Sequence, residues 1–279
     1  ADHRDELEPL LLERSTQTNE IRRCVALRLG LDHLGRRWPG PIALVEVGAS
    51  AGLNLLFDYY SYHLGDQNIL PAAPSEVVIS SEIRTAASGR DLFGTAPEIT
   101  TRLGIDQHPI NLADPDARAW LEAFIWPEQV EDLATLRAAI DLALSTKAAT
   151  VVEGDAVTDT AEILGEIAGD EPIAVFTASL LSYLSAAART RFVEQLRQAA
   201  THRPVAWIFA EGPGLLATGD LDLTALAGPL GQRNSLYLVG ASLRGPDGHQ
   251  DDALLALADP YLRWLAPAKD TADDFQWLT

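Results

Sequence analysis

Residues 46–52, Glu-Val-Gly-Ala-Ser-Ala-Gly, set an acid at the end of an apolar run and then a small side chain at every second position. A buried strand from Ile42, a tight turn from Gly48 to Gly52 and a helix beginning at once make a place for a nucleotide-like ligand. Gly48 and Gly52 stand where a Cβ would crowd the turn against a ligand or hold the helix away from the strand. The turn lacks the Gly-Lys-Ser/Thr of a P-loop, which disfavours phosphoryl transfer from ATP. It also lacks the third glycine of the dinucleotide fingerprint, which disfavours NAD chemistry.

Two further acids follow strand-like runs. Asp106 ends one, and an acid there accepts hydrogen bonds from two ribose hydroxyls; the rival role is a cap for the segment after Pro109. It lies 54 residues beyond Gly52, against about 20 in the dinucleotide fingerprint, so an insertion must fill the gap. Asp155 follows the next run, where it can receive an adenine amino group or cap the helix expected over 157–168. A fourth run ends in Thr177, Ser179, Ser182 and Tyr183, whose hydroxyls fall where a transferred group and an acceptor would meet. His63 and His108 are candidate bases, Glu153 and Glu211 also end strands, and Tyr183 and His108 are the pair chosen to position or deprotonate an acceptor. The six histidines show no metal-ligand spacing, so no metal is expected, and no G-x-S-x-G elbow suggests a hydrolase. The lone Cys24, in an apolar helical pattern, reads as a buried structural thiol.

The elements that must position these residues alternate. Apolar residues at helical spacing over 4–37 predict one or two helices, broken or capped near 15–19, and Trp38-Pro39-Gly40-Pro41 ends them. Strands are expected at 42–47, 99–106, 150–154, 172–176 and 204–210. Helices are expected at about 51–62, at 114–145 with a break near Trp126-Pro127, at 157–168 and at 185–200. Residues 61–64 read equally as helix end or short strand. Residues 65–98 read as an insertion near the pocket, with a possible strand at 77–80 and an exposed turn or short helix at 86–94. The runs at 235–243 and 252–258, joined by a Gly-Pro-Asp-Gly turn, can pair only antiparallel, although the second is also helix-capable. The sum is one α/β domain over 1–279, doubly wound, with a mostly parallel sheet, a C-terminal antiparallel hairpin and an N-terminal helical extension over 1–38.

Forty acidic residues against 21 Lys and Arg give a formal charge of −19, which disfavours nucleic acid and anionic membranes as partners. No run is long enough for a membrane span and no signal segment opens the chain, so a cytoplasmic location is expected. The chain has no methionine and begins with Ala1, which leaves room for a longer natural N-terminus.

The spacing Glu46-x-Gly48-x-Ser50-x-Gly52 resembles that of class I S-adenosylmethionine-dependent methyltransferases, with Ser50 where those enzymes carry glycine. A sulfonium donor has an amino-acid tail that needs small residues and backbone polar groups, but no pyrophosphate that needs a dense N–H cradle. The blocks at 16–23, 45–55, 102–109, 126–129, 153–156 and 259–265 together resemble a bacterial family catalogued as domain of unknown function number 2332. That resemblance spans nearly the whole chain and implies a methyltransferase-like Rossmann fold. In that family a His-Gly pair commonly precedes the final Arg-Trp, where this chain has Tyr261-Leu262. The resemblance implies that Asn19, Glu20 and Arg23 fold over the pocket, and Asn54, just inside the helix after Gly52, is placed to orient the turn. Glu46, Gly48, Ser50, Gly52, Asn54, Asp106 and Asp155 are then expected to hold S-adenosylmethionine, with a small molecule or protein as acceptor. A non-catalytic ligand sensor or scaffold on the same fold is the competing expectation.

Overall fold

Strand β1 (Ile42–Val47) is buried at all six positions, as a continuously apolar run between two covered faces must be. Its side chains alternate between two cores. Ile42 and Leu44 join one with Leu27, Leu31, Leu136 and Ile140; Ala43, Val45 and Val47 join the other with Leu164, Phe192, Val193 and Leu196. The computed structural model describes residues 19–84, 92–218, 221–222 and 236–268, with isolated positions at 3, 4, 8, 9 and 12. Most of the helical reading over 4–20 and of the turn at 86–94 lies outside these residues.

The remaining elements of the main sheet are β2 (Ser61–Leu64), β3 (Gln67–Ile69), β4 (Val78–Ile83), β5 (Ile99–Asp106), β6 (Thr150–Glu153), β7 (Ile173–Ala178), β8 (Val205–Glu211), β11 (Tyr237–Arg244), β12 (Gln250–Ala258) and β13 (Trp264–Pro267). A small ribbon pairs β9 (Ala217–Thr218) with β10 (Leu221–Asp222). The main sheet has 11 strands in the order β3-β2-β4-β13-β12-β11-β8-β7-β1-β5-β6. β6, β5, β1, β7 and β8 are parallel, and β11, β12 and β13 then alternate antiparallel. From β1 the chain crosses first to β5 and β6 on one side and later to β7 and β8 on the other. The switch point therefore lies between β1 and β7, where open α/β sheets leave a crevice.

Helix α1 (Cys24–Gly35) follows a 3₁₀ turn at Ile21–Arg23 and is buried at ten of its twelve residues. The stripe expected from its sequence is in fact a whole buried helix. It lies against β8 so closely that a Cβ on Gly30 would meet Ile208 Cγ2 at 2.4 Å. Arg28 and Asp32, one turn apart, enter the interior as a pair 3.3 Å apart. α2 (Pro115–Glu122) and α3 (Val130–Thr146) share the α1 face, and the chain does break between them at Trp126-Pro127. α4 (Thr160–Glu166) and α5 (Ala186–Ala199) cover the other face.

One expectation needs correction. No α-helix follows the glycine turn: residues Leu53–Tyr59 form a 3₁₀ segment kinked at Leu56, and 61–64 are strand β2. The cause is competition for the carbonyls. Those of Leu53, Leu55 and Phe57 accept from Tyr60 OH (2.6 Å), Arg102 Nη1 (2.7 Å) and Tyr62 OH (2.6 Å), and Phe57 O also accepts from Tyr60 N at 3.4 Å, the three-residue spacing of a 3₁₀ turn. The 65–98 stretch contributes strands β3 and β4, which extend the far edge of the sheet with β2. β4 alternates exposed and buried positions, an edge-zone pattern without a long apolar run.

Candidate functional site

The turn after β1 reverses through three residues of positive φ, Gly48 (79°), Ser50 (54°) and Gly52 (72°). Its amides are largely engaged within the protein. Gly48 and Ala49 donate to Ile105 O (2.8 and 3.2 Å), Gly52 to Ala49 O (2.7 Å), and Ser50 to Asp106 Oδ2 (2.7 Å). The other oxygen of Asp106 accepts from His108 N at 2.9 Å, so this one carboxylate ties the turn to the loop beyond β5. Gly104, on β5, admits the turn: a Cβ there would fall 2.7 Å from that of Ala49. The left-handed backbone at Ser50 is unusual for a residue with a Cβ, and its buried Oγ has no hydrogen-bond partner among the described residues.

Behind the turn, Glu46 shares the α1 face of β1 with Ile42 and Leu44, so its carboxyl enters the core. Oε1 accepts from Asn54 Nδ2 at 2.8 Å, and Cys24 Sγ lies 3.3 Å from Asn54 Oδ1. Burial pushes the Glu46 carboxyl up to about 8 against the pull of Asn54, and pushes the Cys24 thiol up as well. Cys24 is fully buried, which leaves it a structural thiol. Glu211, at the end of β8, accepts from the amides of Leu180 (3.0 Å) and Leu181 (3.3 Å) and thereby shapes the loop after β7. Burial raises Glu211 to about 7, while Thr177, Arg23 and those amides work against it.

Two cavities open at this end of the sheet. The first, about 350 Å³, lies at the carboxyl ends of β1, β5, β6 and β7 and is lined by Gly48, Ser50, Asp106, His108, Ala156 and Leu180 among others. The second, about 380 Å³, is walled by Asn19 and Glu20, by Val78–Ser80 of β4, by Leu121 to Gln129, and by Tyr237 and Tyr261. Arg23, Ser179 and Tyr183 line both. Ser179 too is left-handed (φ 62°), and its Oγ is 2.8 Å from Tyr237 OH. Arg23 faces the junction, and its guanidinium makes no hydrogen bond or ion pair among the described residues; its Nε is buried without a partner.

The structure thus brings Gly48, Ser50, Asp106, His108, Arg23 and Tyr183 to the first cavity, and Asn19, Glu20, Arg23 and Tyr183 to the second. Asn19 also accepts from Leu53 N at 3.3 Å, which ties the N-terminal segment to the end of the turn. Glu46, Gly52, Asn54 and Asp155 line neither cavity. Gly52 is held close to β6, where a Cβ would approach Val151 Cγ2 to 2.7 Å. Asp155 accepts from Val157 N (2.7 Å), Thr158 N (3.2 Å) and Gln107 Nε2; it holds the turn after β6 and does not cap the helix, which begins at Thr160 with Asp159 as its N-cap. The sequence reading passed over Tyr237, Gly104 and the role of Trp126 and Tyr261 as cavity wall. Gly104 alone carried a signal, as a glycine interrupting a strand. Among the described residues, no group of three or more His, Cys, Asp or Glu is placed to hold a metal ion, and no helix is long and apolar enough to cross a membrane.

With this geometry in place, comparison with known families is decisive over residues 1–266. The chain belongs to DUF2332, a family described as uncharacterized proteins conserved in bacteria. No curated protein and no solved structure matches it. Leu262 sits at φ 53°, a conformation natural to glycine, and is fully buried.

Proposed function

We propose that this DUF2332 protein binds S-adenosylmethionine in the first cavity and presents it to an acceptor in the second. What carries the reading is the shared wall of Arg23, Ser179 and Tyr183. Group transfer needs two substrates held edge to edge, and alignment by itself supplies much of the rate. Three other observations support it. The first cavity lies at the topological switch point. The order β6-β5-β1-β7-β8 followed by an antiparallel strand is similar to the sheet of class I methyltransferases. The amides of the turn are already engaged, which suits a ligand without a pyrophosphate and counts against nucleotides that have one.

The residues present fit such a ligand. Arg23 supplies the unpaired cation for its carboxylate, and the orphaned Ser50 Oγ supplies a hydrogen bond beside the turn. Asp106, which lines the first cavity and accepts from the Ser50 and His108 amides, is the carboxylate offered to the ribose hydroxyls. Leu180 and Ala156 offer apolar surface for a base, and Gly48 allows close approach of the backbone. When bound, the ligand supplies an electrophilic methyl group on sulfur. Tyr183, at the junction, orients the acceptor, while His108 lines the first cavity alone and contacts the bound ligand there. Glu46, Gly52 and Asn54 shape the turn from behind, and Asp155 holds the loop after β6.

Calorimetric titration with S-adenosylmethionine and S-adenosylhomocysteine tests the reading. Micromolar binding is expected, weakened at least tenfold in Arg23→Ala; no heat at millimolar ligand overturns it. A non-catalytic binding module is the second reading, favoured by the 3₁₀ segment where a helix was expected. It predicts ligand binding with no methylated product from any acceptor offered.

A further inference from the structure

The second cavity gathers the most exposed large aromatics among the described residues. Trp126 (74% exposed), Tyr183 (71%) and Tyr261 (53%) all lie on its wall. Three such rings around one opening are poorly explained as packing, since each would gain by burial elsewhere. Aromatic faces attract cations, and Arg263 already lies over the Tyr261 ring at 5.3 Å. Inside the rim the same cavity holds two carboxylates, Glu20 and Asp132. Asp132 is paired with Arg22 at 2.8 Å, whereas Arg22 reaches Glu20 only at 3.8 Å. Leu121, Phe124 and Leu136 supply apolar wall in the same cavity, which Arg22 and Arg23 also line.

We propose that this cavity binds a small amine carrying a flat apolar group, with the ammonium between the aromatic rim and Glu20. This rests on the reading of the second cavity as the acceptor site and names the acceptor's chemistry. Aromatic rings stabilise the cation as it loses water, the Glu20 carboxylate pairs with it, and the apolar wall takes the hydrocarbon body. The protein's charge of −19 draws cations toward it and repels anionic competitors.

Glu20 has a second task in this site. An ammonium has no lone pair, so the nitrogen becomes a nucleophile only after one proton leaves. That proton passes from nitrogen to the Glu20 carboxylate, leaving a neutral amine and a neutral carboxylic acid. Burial holds Glu20 above the ordinary carboxylate value against the opposing charges of Arg22 and Arg23, which narrows the gap to an amine. Glu20 also accepts from Arg22 N at 3.1 Å, so its side chain is held in place at the start of the 3₁₀ turn.

The test measures binding to the full chain with no methyl donor added. Three isosteric probes are titrated: phenethylamine, 2-phenylethanol and 3-phenylpropanoate. The amine is expected to bind about tenfold more tightly than either of the others. Glu20→Gln keeps the acceptor for Arg22 N and is expected to remove most of that preference. Trp126→Ala, at an exposed position, is expected to weaken the amine several-fold with unchanged thermal stability. Equal or tighter binding of the alcohol or the carboxylate overturns the proposal, as does a preference that survives Glu20→Gln. Because no donor is present, these outcomes are independent of whether the first cavity takes S-adenosylmethionine.

Discussion

The two cavities share three residues but are made of different material. The first is walled mainly by residues at the carboxyl ends of β1, β5, β6 and β7, Gly48 and Gly154 among them. The second is walled by side chains from the N-terminal segment, β4, the α2–α3 connection, β11 and the turn before β13. One has its shape fixed by the sheet; the other has its shape set by which side chains distant segments contribute. A scaffold of this kind keeps one ligand constant and lets the other vary by substitution, so changes to the sheet ends should disturb the first cavity alone.

The largest effect expected on that contrast comes from Gly104→Ala. Its Cβ would lie 2.7 Å from Ala49 Cβ and 3.0 Å from Val151 Cγ2, so the glycine turn must move off β5. Overpacking of this kind costs about 1–3 kcal/mol, and the displaced turn should weaken donor binding. Amine binding in the second cavity should change less than about twofold, since no wall of it is backbone from β5. Paired titrations of both ligands decide this; equal losses would mean that the cavities are not built independently.

Much of the first cavity was legible in sequence, and for the same material reason. Glu46 to Gly52 is one contiguous stretch whose glycines record backbone constraints, and Asp106 and Tyr183 sit at strand ends that apolar runs reveal. The second cavity was not legible because its aromatics gain meaning only when β4, the α2–α3 connection and the turn at 259–263 converge. Trp126 therefore stood only as a break between helices and Tyr261 only as a departure from a His-Gly pair. The five parallel strands and the β11–β12 hairpin were readable as apolar runs, whereas β2, β3 and β4 are short, polar and at an edge. The missing helix after the turn depends on Arg102, Tyr60 and Tyr62 capturing its carbonyls, and no local pattern in 51–62 announces that.

Two carboxylates sharpen the contrast further. Asp106 lines the first cavity and holds the Ser50 amide, while Asp155 caps its own loop and lines neither cavity. Asp106→Asn should weaken donor binding about 10- to 100-fold, as expected for a lost charge-assisted hydrogen bond of roughly 1.5–3 kcal/mol. Asp155→Asn should lower stability by at most about 1 kcal/mol and leave affinity within about twofold. Calorimetry on the two variants side by side gives the answer, and equal affinity losses would move the ligand toward β6.

The floor behind the turn predicts a pH dependence. Glu46, Glu211 and Asp32 are all raised by burial, to about 8, about 7 and about 6. The folded chain therefore keeps protons that the unfolded chain releases above the ordinary carboxylate range. Stability is full below that range and falls as pH rises toward 8, a direction opposite to that of surface ion pairs. Glu46→Gln keeps an acceptor for Asn54 and removes the titration, so it should gain on the order of 2 kcal/mol over the wild type between pH 5 and pH 8. Urea denaturation at the two pH values measures the difference; a wild type more stable at pH 8 would contradict the buried, protonated Glu46.

Ser50 gives the smallest effect and the finest distinction. Its left-handed backbone (φ 54°) costs a residue with a Cβ about 1–2 kcal/mol, and its buried Oγ has no partner among the described residues. Glycine removes both penalties but loses about 0.5–1 kcal/mol of unfolded-state restriction, so Ser50→Gly should stabilise the protein by about 1 kcal/mol or less. If the hydroxyl serves the ligand, the same variant gains stability and loses affinity for S-adenosylhomocysteine several-fold. A gain in melting temperature with no change in affinity would make Ser50 a tolerated departure from glycine and leave the hydrogen bond beside the turn to another group. The two readouts move in opposite directions only if the strain at Ser50 is retained for binding.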